Sequence, residues 1–510
     1  MRKTVLIGLD GCCFDILNRL MAEGKLPTLS EIILEGSRGV LRSTIPPNSL
    51  PAWTSIFTGV NPGKHGIIDS ILRINGEIRV ATSRDRVVPL LWKILDVYGV
   101  KQVVVNEPVT YPPEPINGVL LTGFSTPPSA QNYIYPSELR EEVDRACGGY
   151  MPDLEPDFER AISRDRSKGL EIIEDFARRT FEAAYYLAKN YEWNLFACIF
   201  TSTDRLLHFY FNDFKAIASH LNLIDGMISR VLELTEANVL IVSDHGFGPL
   251  NKSFHINSWL KKLNFLKERR SLLNRLLLGL GLDYKRLASL LTKVKLYRAA
   301  ARLTPKSIKE AIPTDAGESA VDHKESLFYS LSVNGGIYFN DRGIETPDLI
   351  DYLIDRLKSL VIDDERPIER IFLKHEVLWG NCIDRAPEIL FFPSYGYEVS
   401  PRLRSSILDS PRAFGDIRTG THRPEGIFLA FGPDIKKGGL LRTINAWDIV
   451  PTILHGFGLP IPSYMDGRVL KEIFKENSEI STRSIKLVNW NLGWGLPEKI
   501  KRIKLRKPKK

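Results

Sequence analysis

Three apolar runs, each closing on an acidic side chain, constrain the fold of this chain more than any other feature. Thr4–Leu9 ends at Asp10-Gly11, Leu195–Phe200 runs into Thr201-Ser202-Thr203-Asp204, and Asn238–Val242 runs into Ser243-Asp244-His245. Uninterrupted apolar runs this short predict strands covered on both faces, the habit of parallel strands in α/β proteins. A carboxylate just past the C-terminal end of such a strand lies where open α/β sheets hold their ligands. At Asp10 alone, a turn aspartate or a helix N-cap would serve as well. Together the runs predict an α/β protein with a mostly parallel sheet sandwiched by helices.

The remaining pattern fills in around them. Apolar spacing from Phe14 to Leu34 is helical and is broken by Gly24 and Pro27, and Leu90–Tyr98 predicts another helix. Gln102–Val105, Val119–Leu121 and Ile427–Phe431 read as strands, and Ile134–Lys189 reads as helical throughout, most strongly over Ser167–Lys189.

Between the first two runs lies Pro46-Pro47-Asn48-Ser49-Leu50-Pro51-Ala52-Trp53-Thr54-Ser55-Ile56-Phe57-Thr58-Gly59. Prolines on both sides of Ser49 exclude a continuous helix or a central strand there. A hydroxyl on a rigid turn, backed by an uncharged packed segment, is where a nucleophile would sit. A proline-rich surface turn entering a buried helix reads equally well from these residues alone. The rest of the chain supplies metal-ligand types. If Asp204–Phe211 opens a helix, Asp204 and His208 share a face at i and i+4, as an exposed ion pair would also do. Asp244 and His245 are neighbours at a strand end, and His422 lies in a Gly/Pro-bounded loop ahead of Ile427. Asp10, Asp204, His208, Asp244, His245 and His422 make three carboxylates and three imidazoles, a set suited to two borderline cations such as Zn²⁺ or Mn²⁺. His65, after a Pro/Gly turn, reads as structural rather than as a ligand.

Taken in order, these segments resemble the type I phosphodiesterase/nucleotide pyrophosphatase branch of the alkaline phosphatase superfamily. The markers are Leu9-Asp10-Gly11, Pro51-Ala52-Trp53-Thr54-Ser55 with Asn61-Pro62-Gly63-Lys64-His65-Gly66, Asp204 with His208, Asp244-His245-Gly246, and Thr421-His422-Arg423-Pro424-Glu425-Gly426. The resemblance implies an alkaline-phosphatase-like fold and a metal-dependent phosphodiesterase or nucleotide pyrophosphatase. It implies one metal held by Asp204, His208 and His422, and a second held by Asp10, Asp244 and His245 together with Ser49. It makes Ser49 the nucleophile, forming a phosphoserine intermediate, ahead of the nearby hydroxyls of Thr44 and Thr54. Well-studied pyrophosphatases carry an asparagine at the position of Ala52, and this departure leaves the oxyanion contact to backbone N–H groups near Leu50. The implied substrate is a small phosphate ester, and the implied cofactors are two divalent ions, Zn²⁺ first and Mn²⁺ second. A phosphomonoesterase or phosphate-transferring mutase on the same scaffold is the alternative. The lack of a Cys-x-Pro-x-Arg or Ser-x-Pro-x-Arg signature ranks a sulfatase below these readings.

Composition bears on partners and location. The chain's net charge of +8 is concentrated in its last 30 residues, where ten Lys/Arg face one acid, so the other 480 residues are close to neutral. A basic tail with interleaved apolar residues suits an anionic membrane surface or non-specific nucleic-acid contact, and equally a solvated terminus. These readings divide the chain into a discontinuous catalytic domain at 1–260 and 313–475, a basic helical cap insert at 261–312 and a basic C-terminal tail at 476–510. The insert could cover the site, bind an anionic substrate or pair with a second copy. A non-catalytic module that binds anionic polymers or lipids is the reading from a different class. Five scattered cysteines, no secretory leader and no apolar run of about 18 residues predict a cytosolic protein without a spanning helix, peripheral to a membrane if the tail meets one.

Overall fold

The computed structural model describes residues 2–155, 157–269, 321–341 and 347–490. The expected insert at 261–312 lies outside the described residues beyond residue 269, as does the tail beyond residue 490. The chain divides into two compact units, one of Met1–Asn251, Phe372–Ala386 and Phe414–Lys510, the other of Lys252–Ile371 and Pro387–Ala413.

The first unit is built on nine strands: β1 (Thr4–Leu9), β2 (Ser37–Arg42), β3 (Gln102–Glu107), β4 (Gly118–Thr122), β5 (Ile134–Tyr135), β6 (Leu195–Phe200), β7 (Asn238–Val242), β8 (Glu425–Phe431) and β9 (Gly439–Asn445). Their order across the sheet is β9-β2-β8-β7-β1-β6-β3-β4-β5. β1 pairs in parallel with β6 and β7, β3 with β6 and β4, and β2 with β9. β8 and β5 run against their neighbours. The sheet is therefore mostly parallel, as the apolar runs require. β5 corrects one expectation, since Ile134–Tyr135 is a strand rather than the start of a helix. The helical pattern becomes continuous only from Arg166.

Helices cover both faces. Val5, Ile7 and Leu9 of β1 and Val239 and Ile241 of β7 pack with α1 (Phe14–Ala22) and α2 (Pro27–Glu35). Leu6, Leu240 and Val242 pack on the other face with Trp53, Ile56 and Phe57 of α3 (Ser49–Thr58). Period-two alternation splits each strand between two cores, and both cores are apolar, so no polar residue interrupts the runs. α4 (Arg166–Asn190), α5 (Ser202–Tyr210) and α6 (Phe214–Leu232) complete the first layer, while α7 (Ile449–Gly456) lies in the second. All ten residues of α3 are buried, and its Pro51 falls in the first turn, where a missing N–H costs no helical bond. α3 sits close on the sheet because β1 has glycine beneath it: a Cβ on Gly8 would lie 2.5 Å from Trp53 Cη2.

In the second unit, Lys252–His255 pairs in parallel with Tyr397–Ser400 and antiparallel with Leu408–Asp409. Phe328–Tyr329 pairs with Tyr338–Phe339. Among the described residues no helix is long and apolar enough to cross a membrane.

Gly8→Ala should force Trp53 off the sheet and destabilise the protein by about 1–3 kcal/mol, as overpacking does. Gly226→Ala in α6, where nothing lies within 4 Å of the new Cβ, should instead stabilise by roughly 0.5–1 kcal/mol through helix propensity. Urea unfolding of the two variants would measure both shifts.

Candidate functional site

Register brings the three strand-end carboxylates side by side. Leu9 lies opposite Phe200 and Gly8 opposite Val242, so Asp10, the turn into α5 and Asp244 leave the sheet at one level. His422 arrives differently. It lies on a short strand, Gly420–Arg423, paired antiparallel to Gly246–Pro249, with His422 opposite Phe247. All six of the expected ligand residues meet at this one edge, and so does Ser49.

Asp204 and His208 share one face of α5, with Asp204 Oδ1 3.4 Å from His208 Nε2. His422 Nε2 lies 3.1 Å from Asp204 Oδ1 and 3.0 Å from His208 Nε2. The outer ring nitrogens determine the tautomers. His208 Nδ1 is 3.2 Å from the Gly420 carbonyl, and His422 Nδ1 is 3.0 Å from the Pro47 carbonyl. A carbonyl only accepts, so both Nδ1 atoms carry the proton and both Nε2 atoms turn a lone pair inward. Three acceptors thus converge with no donor among them. That arrangement fits a cation and little else.

The second group repeats the logic. His245 Nδ1 lies 3.2 Å from the Gly246 carbonyl, so Nε2 again faces inward. Nε2 is 3.5 Å from Asp10 Oδ1, 3.3 Å from Asp244 Oδ2 and 3.1 Å from Ser49 Oγ. Among the described residues Asp244 Oδ2 has no hydrogen-bond donor, while Oδ1 accepts from the Gly11 N–H at 3.2 Å. Gly11 needs its positive φ of 73° to present that N–H, and a Cβ there would strike the Phe247 ring at 2.6 Å. Ligand-type atoms of Asp10, Asp244 and His245 lie within 4.8 Å of one another, as do those of Asp204, His245 and His422. The His245 ring stacks on His422 with centroids 3.8 Å apart, so the two groups are neighbours.

Burial makes these acceptors costly. It raises the Asp10 carboxyl well above the usual range, helped by the charges of Asp244 and Asp204. Asp244 is pushed up to about 8 by burial and then by the charge of Asp204. Burial works on Asp204 too, but the Arg205 guanidinium beside its Oδ2 favours the charged carboxylate. Burial presses His208 down to about 3 and His245 well below its ordinary value.

Ser49 is the first residue of α3, and Asn48 is its N-cap. Its Oγ lies 3.5 Å from Asp10 Oδ1. The Leu50 N–H reaches Asn48 Oδ1 only at 3.4 Å, a long bond at a helix N-terminus, where anions are favoured. Thr44 and Thr54 donate to the carbonyls of Pro46 and Leu50, so neither hydroxyl faces the ligands. His65 lies apart from the ligand groups. Its Nδ1 accepts from the Ile67 N–H at 3.1 Å, which leaves Nε2–H to donate to Ser55 Oγ at 2.9 Å. It braces α3.

Sequence reasoning missed four contributors. Trp53 donates from Nε1 to Asp10 Oδ2 at 3.0 Å. Its i+4 spacing from Ser49 on a helix was the available signal. Thr203 Oγ1 donates to the Asp10 carbonyl at 2.6 Å. Phe247 packs edge-on against His208 and His422, with centroids 4.9 and 5.2 Å away. Arg205 donates to Asp204 Oδ2 at 3.0 Å.

Residues 4–366 match the family model described as Type I phosphodiesterase / nucleotide pyrophosphatase. No curated protein matches the chain.

Burial, then the nearby Arg86 charge, lowers His65 to about 3, whereas an unfolded histidine titrates near 6.5. Between those values the unfolded chain binds the extra proton, so stability falls as pH is lowered from about 6.5 toward 3. His65→Gln should make urea midpoints shallower in pH across that window, by up to one proton. An unchanged slope would mean that His65 is protonated in the folded state.

Proposed function

The chain belongs to the type I phosphodiesterase / nucleotide pyrophosphatase family of the alkaline phosphatase superfamily, and on that premise we propose that Ser49 is the nucleophile of a phosphodiester or pyrophosphate hydrolase. Members of this family are enzymes, divalent-metal-dependent hydrolases of small phosphate esters. The supporting observation is the convergence of inward-facing acceptors on two neighbouring positions, with the Ser49 hydroxyl at the edge of one of them.

Asp204, His208 and His422 would hold one cation, and Asp10, Asp244 and His245, with Ser49 Oγ, the other. The mixed imidazole and carboxylate donor set suits Zn²⁺ foremost and Mn²⁺ next. When bound, such ions lower the pKa of a serine hydroxyl and neutralise charge on phosphoryl oxygens. The chain's own groups supply position. Asn48 caps α3 and fixes Ser49 at its first turn. Trp53 and Thr203 hold Asp10 in place through its side chain and its carbonyl. The α3 N-terminus at Ser49 and Leu50 is where a phosphoryl oxygen would be stabilised. In-line attack forms the Oγ–P bond as the bond from phosphorus to the leaving oxygen breaks. Water then cleaves the phosphoserine and returns the hydroxyl. A cytosolic location, and an anionic membrane surface or nucleic acid as partner of the basic tail, belong to the same proposal and rest on composition.

Hydrolysis of bis-(p-nitrophenyl) phosphate and of p-nitrophenyl phosphate, with Zn²⁺ or Mn²⁺ added, tests this. The diester should be preferred, and Ser49→Ala should lower its turnover on the order of 10³-fold or more. Preference for the monoester would move the assignment to a phosphomonoesterase or mutase. Full activity in Ser49→Ala would remove Ser49 as nucleophile.

A further inference from the structure

Arg205 follows Asp204 in sequence, yet its guanidinium is spent on the protein. Nη1 donates to Asp204 Oδ2 at 3.0 Å. Nε and Nη2 reach Asp153 Oδ1 at 3.3 and 3.2 Å, and Nη2 reaches Asp153 Oδ2 at 3.0 Å. The planar head also lies 4.6 Å from the Phe124 ring centroid. With all three nitrogens engaged and the side chain 17% exposed, Arg205 is an arm of the scaffold.

The two oxygens of Asp204 therefore have separate partners. Oδ1 faces the Nε2 atoms of His422 and His208, and Oδ2 is turned away to Arg205. We propose that Arg205, held in turn by Asp153, is a positioning residue that keeps Asp204 a one-oxygen ligand at the cation position between His208 and His422. The inference rests on the metal-site reading above. A carboxylate pinned by one oxygen cannot swing to offer both, and it spends one coordination position instead of two. A position is thereby left for a substrate oxygen, the condition that separates catalytic from structural sites. The guanidinium fork suits this task better than an ammonium, because it can grip Asp153 with one edge and still reach Asp204.

The test is titration of Mn²⁺ into chelator-stripped full-length protein, with free Mn²⁺ read by electron paramagnetic resonance. Wild type should bind two ions. Arg205→Ala and Asp153→Asn should weaken one of them by roughly 10–100-fold, the usual effect of losing a partner of a ligand, and leave the other unchanged. Arg205→Lys, which keeps the charge and loses the fork, should fall between. Saturating Mn²⁺ should restore diester turnover in the variants, as a global folding defect would not allow. Wild-type affinity at both positions in a folded Arg205→Ala would overturn the proposal. If Arg205→Ala misfolds by circular dichroism, Asp153→Asn decides, since it keeps the side-chain volume. Asp204→Asn separates the two levels. If it leaves Mn²⁺ binding intact, the metal-site reading falls and the positioning role with it. If it weakens binding while the Arg205 and Asp153 variants do not, only the positioning role falls.

Discussion

Everything at this site depends on three backbone carbonyls. Gly420, Pro47 and Gly246 each accept from the Nδ1 of one histidine, and so turn three Nε2 lone pairs toward buried carboxylates. Such a cluster is repulsive by itself: burial, and then the charge of neighbouring carboxylates, raises the Asp10 and Asp244 carboxyls. It persists because its members are anchored from outside. Trp53 and Thr203 fix Asp10, Gly11 fixes Asp244, and Arg205 fixes Asp204. The folding energy stored in two apolar cores holds together a group of acceptors that would otherwise disperse into water.

The parts of this design that sequence disclosed were those with one-dimensional signatures. Apolar runs gave β1, β6 and β7, and the carboxylates just beyond them fell at one level because parallel register leaves little freedom. Asp204 and His208 were legible through helical spacing. Other features depend on pairings between distant segments. That β8 runs antiparallel between β2 and β7 has no local cue, since buried strands of either direction are apolar. Ile134–Tyr135 is too short for a period to be read, so the helical pattern that follows absorbed it. Trp53 looked like core, and it is core on its ring face over Gly8. Only the fold shows that its N–H meets Asp10. Arg205 was hidden by proximity to its own ligand neighbour, because adjacent residues on a helix ordinarily point apart.

α3 joins the cores to the chemistry. One helix supplies the capped N-terminus at Ser49, the indole that steadies Asp10 and the aromatic ballast of Phe57 against Trp92 at 5.4 Å. Its closeness to β1 depends on a single glycine. The position of Ser49, the proposed nucleophile, is thus set by sheet packing as much as by its own turn.

The reversal of β8 has a consequence in time. Because that strand runs opposite to β7, the residues before it, not after it, reach the ligand edge, and His422 can serve there only from late in the chain. About 180 residues separate it from His245. At ribosomal speeds that interval is roughly 10–35 s of synthesis. Throughout it, the emerging chain carries five of the six proposed ligand residues without the sixth. On the metal-site reading, the cation position that uses His422 is therefore completed only once codon 422 has been translated, and a message truncated between codons 245 and 422 yields a chain that keeps Asp10, Asp244 and His245 but lacks a ligand at the other position.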